Sequence, residues 1–229
     1  MNEADLVRQF PRLWHMAEDG SWPSIEEHGL LSTSALVDLY GINGNERNTI
    51  ILQRRSRSVP ISRVGLPDAV IRDNIPMTDS ALRKCLNDSL TPSQWYEILN
   101  GKVFFWLSQD RLRRLLGAKA YRDKTQTVLT IDTASLVNAY RNRISLSPIN
   151  SGSTIMKPQP RGLDTFLPIA EYPYDFWKNK RSRKSAVIEL VVDHSVPDIK
   201  DHVIAVHRVK GENRQELWRR EETLLDDGP

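Results

Sequence analysis

A carboxylate set in the middle of an apolar run is the first residue in this sequence with an unusual chemical position. Glu189 lies within Ala186-Val187-Ile188-Glu189-Leu190-Val191-Val192, which otherwise reads as a buried strand. Ionised carboxylates are almost never buried without a partner, because losing water costs several kcal/mol. Alternation puts Val187, Glu189 and Val191 on one face. The carboxylate then belongs to a cleft, a sheet edge or a paired site, and a face turned to solvent accounts for the pattern equally well.

Other residues carry chemistry of different kinds. His15 sits between Trp14 and Met16 in a short apolar segment, where a neutral imidazole can hydrogen-bond through either ring nitrogen. A core histidine bonded to backbone is the commoner meaning of that pattern. Arg72, in Ile71-Arg72-Asp73-Asn74, is a candidate phosphate ligand because guanidinium binds phosphate bidentately; a surface arginine is the plain alternative. Trp106-Leu107-Ser108 marks a strand meeting a helix, and Ser108 reads first as a helix cap, second as a ligand contact. Asn150-Ser151-Gly152-Ser153-Thr154 is a flexible polar loop, either a linker or a ligand contact. From Lys178 to Lys184, five of seven residues are basic, and Tyr172, Tyr174, Phe176 and Trp177 precede them. Trp177 can stack on bases while Lys178, Lys180, Arg181, Arg183 and Lys184 track phosphates. A solvated loop is the usual meaning of such a run.

Stepping along the chain gives the elements that must hold these residues. Leu6, Phe10 and Leu13 have helical spacing, and Pro11 breaks that helix. Leu13 to Ala17 reads as a short strand, and Pro23 opens a helix that Gly29 stops. Ser34 to Tyr40 is another short helix, Ile50 to Arg63 is basic without clear period, and Ala69 to Arg72 is a strand edge. Helices are expected over Thr78 to Leu86 and Thr91 to Leu99, each opened by a capping residue. Val103 to Leu107 is the clearest central strand, apolar on both faces. Ser108 then opens a helix through Leu112, Leu115 and Leu116. Thr127 to Ile131, Ile188 to Asp193 and His202 to Val209 complete the strands. Short strands separated by helical insertions predict an α+β fold with a mixed, largely antiparallel sheet.

Several function classes are excluded. No Gly-x-Gly-x-x-Gly follows a strand, and no Walker loop or His-Glu-x-x-His is present. Cys85 is the sole cysteine, so neither an internal disulfide nor a cysteine-rich zinc site is possible. It sits beside Leu82 and Leu86, as a core residue would. His202 and His207 lie five apart without an evident third ligand, so no metal is expected. The chain has 229 residues, 39% hydrophobic and 27% charged, with a formal net charge of +3. That suits one folded domain over 1–229 with frayed ends. No apolar stretch approaches a membrane span, and the expected compartment is the cytoplasm. The mild positive balance allows an acidic partner such as nucleic acid without requiring one.

Three segments together resemble the DarT-type, DNA-targeting ADP-ribosyltransferases. Leu13-Trp14-His15-Met16-Ala17, followed by Ser24 to Ser32 with its His28-Gly29-Leu30-Leu31, is similar to that family's opening strand and helix. Val103 to Ser108 resembles its central aromatic strand, and Ser185 to Val192 the strand bearing its catalytic glutamate. The match covers about a third of the chain. The family has an arginine close after the aromatic strand; here the nearest is Arg111.

The resemblance implies an ADP-ribosyltransferase-like split sheet with NAD, the substrate, in a cleft between two small sheets. It implies Glu189 as the catalytic carboxylate, stabilising an oxocarbenium-like transition state and deprotonating the acceptor. His15 would orient the nicotinamide ribose, and Trp106 or Tyr40 would stack on nicotinamide. The segment before the catalytic strand meets the acceptor in this family, and here it is the aromatic and basic run from Tyr172 to Lys184. The expected activity is transfer of ADP-ribose to DNA or RNA in a toxin, antitoxin-paired or anti-phage setting. The rival readings are an NAD glycohydrolase, a phosphate-removing RNA transferase, or a nucleic-acid-binding module without chemistry.

Overall fold

The computed structural model describes residues 1–155, 157–221, 223 and 228–229. In the first half, α1 (Glu3–Gln9), β1 (Arg12–Glu18), α2 (Trp22–His28), β2 (Leu30–Leu31), α3 (Thr33–Leu39) and α4 (Gly44–Leu52) precede β3 (Val59–Ile61) and β4 (Ala69–Ile71). Two further helices, α5 (Asp79–Leu82) and α6 (Pro92–Asn100), lead into β5 (Lys102–Trp106) and α7 (Gln109–Leu116). There follow β6 (Gln126–Asp132), α8 (Thr133–Tyr140), β7 (Ile144–Ser147), β8 (Leu167–Pro168) and α9 (Tyr174–Lys180). The chain closes with β9 (Glu189–Asp193), β10 (Ser195–Val196), β11 (Val203–Lys210) and β12 (Asn213–Arg219).

The fold is α+β, built on an eight-stranded sheet in the order β12-β11-β6-β1-β5-β9-β7-β8, with β10-β2 and β3-β4 as separate two-stranded ribbons. Each of these neighbouring pairs is antiparallel. Pairing is full between β1 and β6, from Arg12 opposite Asp132 to Glu18 opposite Gln126. It is full again between β5 and β9, from Lys102 opposite Asp193 to Trp106 opposite Glu189. Between β1 and β5 the register is the single pair Trp14 and Trp106. The sheet therefore opens at a seam, and this is the form the expected split takes.

Strand alternation distributes the core. Leu13 and Ala17 of β1 and Val103 and Phe105 of β5 enter the main core with Leu6, Leu136, Tyr172 and Val206. On the opposite face Met16 packs with Leu112, Tyr121 and Val128, and Trp14 and Trp106 lie against them. Phe104 turns toward Met77, Leu82, Trp95 and Tyr96. Because β5 and β9 are covered on both faces, their sequences are apolar from Val103 to Trp106 and from Leu190 to Val192, with Lys102 and Asp193 paired at one end and Glu189 at the other.

Local signals hold where the backbone groups they predict are satisfied locally. Thr91 caps α6 in a reciprocal box with Gln94. Other expectations are corrected by long-range contacts. The helix expected over Thr78 to Leu86 is one turn, because the backbone around Cys85 and Asn87 bonds instead to Arg161. The basic stretch from Ile50 begins inside α4 and continues into β3. Lys178 and Lys180, expected in a loop, belong to α9, and Arg183 and Lys184 form a short 3₁₀ turn. Ser108 occupies the cap position of α7, yet its side chain makes no capping bond. Strands β7 and β12 and helices α4 and α8 were not expected from the sequence. Among the described residues, no helix is long and apolar enough to cross a membrane.

Gly29 joins α2 to the β10-β2 ribbon with φ 82° and ψ 173°, a region open almost only to glycine. A Cβ there would lie 2.5 Å from the Pro197 Cα. Gly29→Ala is expected to cost ~3 kcal/mol in urea unfolding. Gly20→Ala, at a similar φ of 77° but in open space, should lose at most ~1–2 kcal/mol. Equal losses would show that the approach to Pro197 does not constrain the fold.

Candidate active site

The seam between β1 and β5 opens into a cleft of about 1090 Å³, at the upper end of small-molecule sites. Strand register carries Glu189 to it: Trp14 opposes Trp106, Trp106 opposes Glu189, and Glu189 opposes Ser147 across β1, β5, β9 and β7. Glu189 lines the cleft at 3% exposure, so the solvent-facing alternative is excluded.

One oxygen of this carboxylate is held from the loop after β7. The Ser151 hydroxyl donates to Glu189 Oε2 at 2.7 Å and the Ser151 amide at 3.2 Å. Its Oε1 accepts no hydrogen bond from the described residues. The loop expected to be flexible is fixed in turn by Arg161, which is 1% exposed. Its guanidinium donates to the Ser151 carbonyl at 2.8 Å, to the Ser153 carbonyl at 2.9 Å and to the Gln159 carbonyl at 3.1 Å. Burial raises the Glu189 pKa from an ordinary 4.5 to about 7, against the lowering effects of Ser151, Arg161 and Arg111. A carboxyl that titrates near neutrality can serve as base, acid or ionic stabiliser.

On the β1 side, His15 is half-buried, with Nδ1 2.8 Å from the Phe104 carbonyl across the seam. A carbonyl can only accept, so Nδ1 carries the proton. Burial holds the His15 pKa down to about 4, the Phe104 carbonyl opposing it and the Arg72 charge assisting it. At neutral pH the ring is therefore uncharged, and Nε2 offers a lone pair. Arg72 lies over the Tyr121 ring at 4.9 Å and donates through Nη1 to the Met16 carbonyl and to Gln126 Oε1. His15, Arg72, Trp106 and Glu189 all line the same cleft.

Other candidates lie elsewhere. Ser108 is not among the cleft-lining residues, and Tyr40 is buried with Val37, Ile50 and Ile61, its hydroxyl donating to the Pro67 carbonyl. Trp177 packs half-buried beside the main core under Arg181, whose guanidinium is 4.4 Å from the ring and also donates to the Pro148 carbonyl. Lys178 pairs with Asp175 at 2.5 Å, and Lys180 lies 4.1 Å over Phe176. Lys180, Arg183 and Lys184 are exposed. His202 bonds Ser135 at 2.6 Å and His207 lies near Glu216, so each has its own partner. Among the described residues no cluster of three His, Cys, Asp or Glu could hold a metal. Arg161 was not singled out in the sequence, and Ser151 was marked there only as part of the polar loop Asn150 to Thr154, of which Asn150, Gly152 and Ser153 line the cleft. A serine between Asn150 and Gly152 and an arginine after Pro160 look like ordinary loop residues until β7 brings them against Glu189.

The raised Glu189 pKa fixes a sign for stability. The folded state holds a proton that the unfolded chain has released between pH 4.5 and about 7, so this group's contribution falls as pH rises through that window. Glu189→Gln removes the penalty. Its melting temperature at pH 8 should exceed the wild type's by several degrees, corresponding to on the order of 3 kcal/mol. At pH 4.5 the two should melt alike. A variant less stable than wild type at pH 8 would contradict the burial of an uncompensated carboxyl.

No curated protein matches this chain in sequence. Among solved structures, Thermosipho africanus DarTG in complex with ADP-ribose is similar at 17% identity and a TM-score of 0.42, over 86% of this chain and 43% of that one. The chain thus spans less than half the length of that structure. The profile of DUF7002, a family of unknown function, matches residues 11–203, which include His15, Arg72, Ser151, Arg161 and Glu189. The chain belongs to the family DUF7002.

Proposed function

We propose that this protein is an NAD-dependent ADP-ribosyltransferase acting on nucleic acid, with Glu189 as its catalytic carboxylate. The observation that carries the reading is Glu189 itself: a buried carboxylate on a large cleft, one oxygen held by two donors from Ser151. The cleft has room for a dinucleotide, and Arg72 offers a guanidinium suited to a phosphate. NAD would supply the ADP-ribosyl group, with nicotinamide as leaving group. Ionised Glu189 stabilises the positive charge growing on the ribosyl carbon and takes the proton of the attacking acceptor. Neutral His15 accepts a hydrogen bond at Nε2, as a ribose hydroxyl requires. The exposed cations Lys180, Arg183 and Lys184, ahead of β9, favour a nucleic-acid acceptor.

The test is nicotinamide release from NAD by purified protein, with and without DNA and RNA oligonucleotides. Release that depends on nucleic acid, leaves a mass-shifted oligonucleotide and falls by at least ~10²-fold in Glu189→Gln is the expected result. Release without any acceptor would make the protein a glycohydrolase. Absence of turnover in the wild type would leave a binding module.

The pH profile reads the same site. Transfer should rise with pH through about 7 as Glu189 ionises. Ser151→Ala deletes the hydroxyl that favours the ionised form, so its rising limb should move to higher pH. An unmoved limb would show that the titrating group is not the carboxyl Ser151 holds.

A further inference from the structure

Arg111 and Arg114 lie one turn apart on α7, and both line the cleft beside Glu189. Arg111 is half-buried, and among the described residues neither side chain makes a hydrogen bond or an ion pair. Burial lowers its pKa, the like charges of Arg114 and Arg181 lower it further, and Glu189 opposes them. Glu189 compensates poorly, being already bonded to Ser151 and half neutral near pH 7. Arg181 is anchored on Trp177 and the Pro148 carbonyl, whereas Arg114 is exposed at the mouth of the cleft. Assembling like charges on partly desolvated ground is unfavourable until an anion arrives.

The geometry points to a phosphodiester subsite formed by Arg111 and Arg114 with Arg181, which seats the backbone of a single nucleic-acid strand next to Glu189. A phosphate of NAD is the other source of this chemistry. Against it stands Arg72, already placed on the His15 side of the same cleft and felt by His15, whereas Arg111 feels Arg114 and Arg181. From Arg181 the chain runs directly to the exposed Arg183 and Lys184, with Lys180 preceding it. Cations thus continue from Arg111 and Arg114 in the cleft, through the charge of Arg181 outside its lining, onto the surface, a course that suits a strand and exceeds what a dinucleotide needs.

The inference rests on the transferase reading for its setting, but its test needs no turnover. Binding of single-stranded DNA and RNA oligonucleotides of one sequence is measured against salt without NAD, for wild type and Arg111→Gln/Arg114→Gln. NAD affinity is measured separately by calorimetry, and thermal melting confirms that the variant folds. Removing two phosphate contacts should lower the salt slope by ~1.4 for a single strand and weaken binding roughly tenfold near 0.1 M salt. Arg111→Lys/Arg114→Lys should restore most of the slope. Oligonucleotide affinity should fall far more than NAD affinity. Unchanged oligonucleotide binding, or a loss of NAD affinity as large as the loss for the strand, overturns the proposal. Loss of turnover in Glu189→Gln with strand binding intact concerns the catalytic reading alone.

Discussion

Burying one carboxylate sets conditions that reach far along this chain. Glu189 gives up water at the first position of β9, and the donors that replace it come from Ser151, in the loop after β7. That loop would not hold its shape on its own sequence, which is rich in Gly, Ser and Asn. It is shaped by Arg161, whose guanidinium spends three hydrogen bonds on the carbonyls of Ser151, Ser153 and Gln159. Arg161 is itself buried, beside the Trp95 ring, and its backbone bonds to Cys85 and Asn87. The truncated α5, the loop and the carboxylate are therefore one connected arrangement. A guanidinium bonded to carbonyls keeps its charge without a carboxylate partner, so it can both order the loop and favour the ionised form of Glu189 against its burial.

The seam is the second condition. The two antiparallel halves of the sheet, β12-β11-β6-β1 and β5-β9-β7-β8, are joined in register by the single pair of Trp14 and Trp106. Unpaired backbone beside that contact would be costly if buried, and His15 shows one solution: its ring donates to the Phe104 carbonyl across the gap. The imidazole thus does structural work with Nδ1 while Nε2 stays available as an acceptor. The same opening that breaks the sheet ladder creates the cleft, so the site is a consequence of how the two halves of the sheet meet.

Much of this was legible because it is local. Glu189 stands out against a run of apolar residues, Val103 to Trp106 announces a strand buried on both faces, and Thr91-Pro92 announces a helix. The α+β class and the antiparallel sheet follow from such segments. What was not legible depends on partners distant in sequence. Ser151 is 38 residues from Glu189, and no propensity marks it. Arg161 reads as a charged loop residue, whereas it is among the most buried side chains of the protein. The helix expected through Leu86 had the right periodicity, but a tertiary claim on its backbone ended it after one turn. Ser108 fails differently: the residue type suits a cap, and the position is right, yet the hydroxyl makes no capping bond.

The two sides of the cleft are poised in opposite ways by the same cause. Desolvation lowers His15 to about 4 and raises Glu189 to about 7, each toward its neutral form. At neutral pH the imidazole is uncharged and only the carboxyl is near its midpoint. A proton can then enter or leave the cleft through Glu189 without a competing titration at His15, since their values lie about three units apart. The nearby guanidiniums add to desolvation at His15 and oppose it at Glu189. Arg72 beside His15 disfavours a second cation there, while Arg161 and Arg111 beside Glu189 favour its ionised form. Positive charge on both sides therefore assigns the acid–base role to the carboxyl and the hydrogen-bonding role to the imidazole.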